Sequence, residues 1–120
     1  MKTAFITGAT AGIGEATVRT LVANGWRCVA TGRREERLDA LVGELGKDRV
    51  HAACFDVRDR EGMDAAIAGL PDEFAGVDLL VNNAGLAQGL SPAQDANLDD
   101  WQTMIDTNVT AMVVLTRKLL

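Results

Sequence analysis

The run Thr7-Gly8-Ala9-Thr10-Ala11-Gly12-Ile13-Gly14 follows a short apolar segment, Ala4-Phe5-Ile6, and opens a helical pattern. Glycine at three of these positions lets the backbone take turns that a Cβ would forbid and lets a ligand come close. N–H groups at a helix start have no intrahelical partner and attract anionic oxygen. The loop thus has the makings of a pyrophosphate seat, with Gly8, Thr10, Gly12, Ile13 and Gly14 as candidate contacts. Its spacing, G-x-x-x-G-x-G, differs from the G-x-G-x-x-G of the ordinary dinucleotide fingerprint, and no Lys follows the last glycine as a P-loop requires. By itself it is also what a plain Gly-rich connection looks like, so the other segments must decide.

Composition narrows the choice. The length of 120 residues suits one domain over residues 1–120, and 48% apolar residues are enough for a core. With 12 Lys and Arg against 17 Asp and Glu, the net charge of −5 argues against nucleic acid, whose phosphates call for clustered cations. No apolar run approaches the ~20 residues of a membrane span. Met1-Lys2-Thr3 leads into a strand-like segment too short for a signal-peptide core, so no membrane partner is expected and the cytoplasm is the expected compartment. Cys28 and Cys54 both fall in predicted buried strands and read as reduced core residues; without C-x-x-C or a His cluster, no metal is expected.

Strand-like and helix-like patterns alternate throughout, which signals an α/β domain with a mostly parallel sheet. The strands are expected at Lys2–Thr7, Arg27–Thr31, Val50–Phe55 and Val77–Val81, the last short, nearly all apolar and of the kind buried on both faces. Ile13–Asn24 is the first helix, with Ile13, Thr17 and Leu21 on one face and Asn24-Gly25 as its stop. Leu38, Leu41, Val42 and Leu45 stripe a second helix closed by Gly46, and Met63, Ala66, Ile67 and Leu70 stripe a third stopped at Pro71. Leu86–Ala96 reads as a loop, after which Asn97 caps a long final helix with Asp99 and Asp100 in its first turn. Trp101, Ile105, Asn108, Met112, Leu115 and Leu119 share one face of that helix. Asn108 is the only polar member, so its amide needs a hydrogen-bonding role, either satisfying nearby backbone or serving function.

Right-handed crossovers place the strands in the order 3-2-1-4, an incomplete Rossmann-type doubly wound parallel sheet with flanking helices and a switch point beside strand 1. Gly8–Gly14, the segment after strand 2, Asp56 and Asn82–Gly85 converge there. Through Thr7-Gly8-x-x-x-Gly12-Ile13-Gly14, Asp56-Val57, Asn82-Asn83-Ala84-Gly85 and Asn108, the chain resembles the N-terminal half of a short-chain dehydrogenase/reductase. Ala30-Thr31-Gly32-Arg33-Arg34 and the run Trp101–Asn108 bring it nearest the NADP-dependent 3-hydroxy acid dehydrogenase group, which includes serine and allo-threonine dehydrogenases.

A chain selective for NAD usually places an acid roughly 20 residues beyond the glycines to accept from the ribose hydroxyls. Thr31, Gly32 and Arg33 stand there instead, and Arg33 and Arg34 suit the 2′-phosphate of NADP through guanidinium hydrogen bonds. The plainer alternative is that both are solvated arginines paired with Glu35 and Glu36. A methyltransferase of similar topology would also need the missing acid. The resemblance further implies that Asp56 binds the adenine amino group with Val57 offering its backbone, and that Asn82, Ala84 and Gly85 line the nucleoside side. Asn108 matches the family's catalytic helix asparagine, whose kinked backbone holds a water in the proton relay.

Family chemistry also needs a general acid/base Tyr, a Lys four residues later and a Ser that orients the carbonyl. The chain contains no tyrosine, and none of this constellation follows Asn108. The expectation is therefore a fragment or truncated product, the cofactor-binding half of an NADP-dependent oxidoreductase acting on a small-molecule alcohol or ketone, such as a small 3-hydroxy acid. Alone it is expected to be inactive, and marginally stable or self-associating because strand 4 and the last helix lack cover; the assembly expected is a homo-oligomer. The alternative is a non-catalytic nucleotide-binding module.

Overall fold

Ala4, Phe5 and Ile6 are fully buried in succession, as a strand is when helices cover both faces of its sheet. The computed structural model describes residues 1–86 and 91–120. Its elements run β1 (Thr3–Ile6), α1 (Gly12–Ala23), β2 (Arg27–Gly32), α2 (Glu35–Leu45), β3 (Val50–Cys54), α3 (Arg60–Ala68), the single turn α4 (Asp72–Ala75) and β4 (Leu79–Val81). A 3-10 turn (Ala93–Asp95), α5 (Leu98–Ile105), a π turn (Asp106–Thr110) and α6 (Ala111–Leu119) follow.

The sheet has the expected order, β3-β2-β1-β4, with all strands parallel. Side chains alternate between its faces with period two. On one face Ala4, Ile6, Cys28, Ala30 and Val50 pack with Val18 of α1 and Leu38 and Leu41 of α2. On the other, Phe5, Val29 and Ala53 meet Met63 of α3, Phe74 of α4 and Leu115 of α6. Each large apolar side chain so buried stabilises the fold by about 1.5–3 kcal/mol. Local signals act where the sequence placed them: Asn97 accepts from the amides of Asp99 and Asp100 at the start of α5, and Gly46 turns the chain out of α2 with φ of +99°.

Several details differ from the sequence reading. Ile13 is 78% exposed, and the buried face of α1 runs through Gly14 and Val18; the helix is rotated so that its glycine, rather than its bulkiest residue, meets the preceding loop. Cys28 is buried, which pushes its thiol up to about 11, whereas Cys54 is exposed; both are free thiols. Cys54 ends a strand at the sheet edge, where one flank has no neighbouring strand among the described residues. The third helix stops before Leu70, and the unforeseen turn α4 seats Phe74 in the core.

β4 is not buried on both faces: Leu79 is 38% exposed, and among the described residues the strand pairs only with β1. The final helix is interrupted at Asp106–Thr110, and its wider turn changes the angular spacing of the stripe. Trp101, Ile105 and Met112 are exposed while Ala111 and Leu115 are buried. The expected loop at Leu86–Ala96 contains the 3-10 turn, and its residues 87–90, with Gly89, lie outside the described residues.

Candidate functional site

The carboxyl ends of the four strands meet along one edge of the sheet. Thr7, buried just beyond β1, accepts with its hydroxyl from the backbone N–H groups of Asn83 (3.0 Å) and Ala84 (2.9 Å) and donates to Val81 O (3.4 Å). A hydroxyl has one proton and two lone pairs, so this side chain is fully used in tying the glycine loop to the segment after β4. Asn83 completes the tie by donating to Gly8 O at 3.1 Å. Gly8 has φ of +64°, and a Cβ there would lie 2.9 Å from Asn83 Nδ2 and 3.1 Å from Ala84 Cα. At Gly14 a Cβ would fall 2.0 Å from Gly8 O, so the first turn of α1 rests directly on the loop.

That turn starts from Ala11, which is extended and supplies no side-chain cap. Glu15 N reaches Ala11 O at 3.4 Å, and among the described residues the amides of Gly12, Ile13 and Gly14 donate to no acceptor. Three open donors at the positive end of a helix dipole make an anion seat. A cleft of about 280 Å³ opens beside it, lined by Gly8, Thr10 and Ala11, then Gly32, Arg33 and Arg34 after β2, Phe55, Asp56, Val57 and Arg58 after β3, Asn83, Ala84, Gly85 and Leu86 after β4, and Thr107 of the π turn.

Among the described residues, Asp56 is the only acid lining this cleft, against three arginines. Arg58 donates its backbone N–H (2.9 Å) and Nε (3.2 Å) to Asp56 Oδ1 and its Nη2 (2.9 Å) to Oδ2, while Arg33 Nη1 lies 3.8 Å from Oδ2. The Arg58 side-chain hydrogen bonds hold the Asp56 carboxyl below its ordinary range, although partial burial opposes this. The rim of the cleft is thus cationic in a chain whose net charge is −5. Arg33 pairs with Asp56 rather than with Glu35 or Glu36, the partners that a purely solvated reading favoured.

Of the residues singled out from sequence, Gly8, Thr10, Arg33, Arg34, Asp56, Val57, Ala84 and Gly85 line the cleft. Gly12 and Gly14 shape the turn beside it, and Ile13 offers its amide while its side chain faces solvent. Asn82 is not brought in. It donates to Thr116 Oγ1 at 3.1 Å, toward α6, and Asn83 lines the cleft instead; successive residues at a strand end face opposite ways. Asn83 and Thr7 are the residues that sequence reasoning left out of the site; strand-end parity was the signal available for Asn83, and none was available for Thr7. Asn108 sits in the π turn, where its side chain accepts from Leu86 N and donates to Leu86 O, both at 2.8 Å. Its amide satisfies backbone and pins the chain leaving the cleft to the last helix.

The short chain dehydrogenase family model matches residues 2–120. The chain belongs to the short-chain dehydrogenase family. Among curated relatives, the serine 3-dehydrogenase of Agrobacterium fabrum is 52% identical over 118 residues, covering 98% of this chain and 47% of that protein. The NADP-dependent 3-hydroxy acid dehydrogenase YdfG of Escherichia coli strain K12 is 50% identical over 116 residues, covering 97% and 46% respectively. The solved closed form of serine dehydrogenase complexed with NADP+ superposes with a TM-score of 0.95 at 48% identity, covering 98% of this chain and 47% of that one. The chain spans about half the length of the relatives it matches. Among its described residues no helix is long and apolar enough to cross a membrane.

Proposed function

We propose that this chain is the NADP-binding half of an oxidoreductase that moves a hydride between the nicotinamide and an alcohol or ketone, with small 3-hydroxy acids as the substrate class. The observation that carries the reading is one cleft edge holding three open amides at the start of α1 and guanidiniums, with no acid, after β2. The amides of Gly12, Ile13 and Gly14 take diphosphate oxygens, and Arg33 and Arg34 take the ribose 2′-phosphate. Asp56 and Val57 meet the adenine, and Ala84 and Gly85 line the nucleoside side. When bound, the nicotinamide supplies the hydride acceptor or donor. The names of the relatives, serine 3-dehydrogenase and NADP-dependent 3-hydroxy acid dehydrogenase, support both the cofactor and the substrate class.

Asn108 enters this chemistry through its backbone, because its side chain is committed to Leu86. The π turn around it is the kind of helix irregularity that concentrates at functional sites, and its role is to hold a water of the proton relay. The exposed apolar residues Trp101, Ile105, Met112 and Val113 support a homo-oligomeric assembly, and the reading places the protein in the cytoplasm. The second reading is a nucleotide-binding module without turnover; measurable NADP-dependent oxidation of a 3-hydroxy acid by the protein separates the two.

Titration with NADP and with NAD tests the cofactor. Charged hydrogen bonds to the 2′-phosphate, at about 1.5–3 kcal/mol, predict a preference for NADP of roughly 10- to 100-fold. Arg33→Asp should abolish or reverse it. Equal affinities before and after the substitution would defeat the reading.

A further inference from the structure

We infer that Arg58 is a specificity-determining residue for the phosphorylated cofactor, acting by occupying the Asp56 carboxylate so that Arg33 stays available to the 2′-phosphate. This rests on the NADP reading above. Asp56 lies between two guanidiniums. Arg58 binds both carboxylate oxygens in a fork and adds its own backbone N–H, whereas Arg33 stands 3.8 Å away. The Arg33 side chain is 64% exposed, against 37% for Arg58, and it reaches the carboxylate through a single Nη1 contact.

A carboxylate beside a phosphate site does two kinds of harm: it repels the incoming dianion and it competes for the cation meant to receive it. The fork of Arg58 counters both, because a bidentate guanidinium neutralises the acid and fixes its orientation. Without that fork, Asp56 retains the Arg58 backbone donor and has Arg33 as its nearest cation. Arg33 then swings toward the acid, and the cleft loses discrimination at the ribose. Arg58 is thus a positioning residue whose effect passes through Asp56.

Equilibrium titration of the full chain with NADP and with NAD reads this as the ratio of the two dissociation constants, in which any change in the grip on adenine cancels. Arg58→Ala should lower the NADP preference by about fivefold, the scale of one exposed ion pair, as the loose Arg33–Asp56 contact at 3.8 Å tightens. Arg58→Lys, with a point charge in place of a fork, should fall between the two. Adding Asp56→Asn to Arg58→Ala should restore the wild-type ratio, because the competing carboxylate is then gone. An unchanged ratio in Arg58→Ala overturns the inference, as does a double variant that stays as weak as the single one, which would mean that Arg58 meets the phosphate itself. A wild-type chain with no preference for NADP overturns the cofactor reading, and this inference with it.

Discussion

Helices α2 and α5 carry similar amphipathic patterns and meet opposite fates. In α2, Leu38 and Leu41 are 0% and 3% exposed, sealed against β2 and β3 with α1 beside them. In α5 no residue is buried: Leu98 is 71% exposed and Ile105 49%. One face of the first three strands is closed by α1 and α2 within the first 55 residues or so, through short crossovers that bring each apolar face onto its neighbour. The β4–α6 region instead hangs on the sheet by Leu115, by the tie from Thr7 and by the amide of Asn108. A periodic stripe therefore declares which face is apolar, and only topology declares whether anything covers it.

Substitutions on either side of this divide should separate by size. Phe5→Ala removes a fully buried ring from the face where α3, α4 and α6 converge and should cost about 3–5 kcal/mol, a large part of a small domain's stability, read from the midpoint of urea unfolding. Gly14→Ala comes next. Its Cβ would meet the Gly8 carbonyl at 2.0 Å, and forced overpacking of this kind costs roughly 1–3 kcal/mol. Because α1 and the loop are pushed apart, NADP affinity should fall more than the melting temperature, as parallel calorimetry would show. Trp101→Ala, on the open side, should change monomer stability by about 1 kcal/mol or less while weakening self-association in sedimentation velocity. Equal destabilisation by Phe5→Ala and Trp101→Ala would erase the contrast between the two regions.

Most of the architecture was legible in the residues. Short apolar runs, capping residues and glycine stops led to the four strands, and right-handed crossovers to their order and the convergence of their carboxyl ends. What escaped was set by contacts rather than by pattern. The buried face of α1 follows Gly14 because Gly8 O is only reachable without a side chain, a constraint invisible to a count of apolar residues. The difference between Asn82 and Asn83 lies beyond the end of β4, which the sequence located at Val81: Asn82 turns to Thr116 of α6 and Asn83 to the Gly8 carbonyl. Exposed Cys54 reflects its place on an edge strand, a property of the finished sheet. The π turn at Asp106–Thr110 carries no composition signal of its own; the resemblance pointed to a kink there, and periodicity alone did not. The Arg58–Asp56 fork was likewise unforeseen, because Asp56 was read singly and Arg58 was not singled out.

The most direct test of the central claim follows the backbone amides of Gly12, Ile13 and Gly14 by ¹H–¹⁵N NMR while NADP is added. Donation to the diphosphate predicts that these three resonances shift strongly and saturate together with those of Arg33 and Arg34. Resonances that stay fixed at the start of α1 while NADP binds elsewhere on the chain would contradict the account.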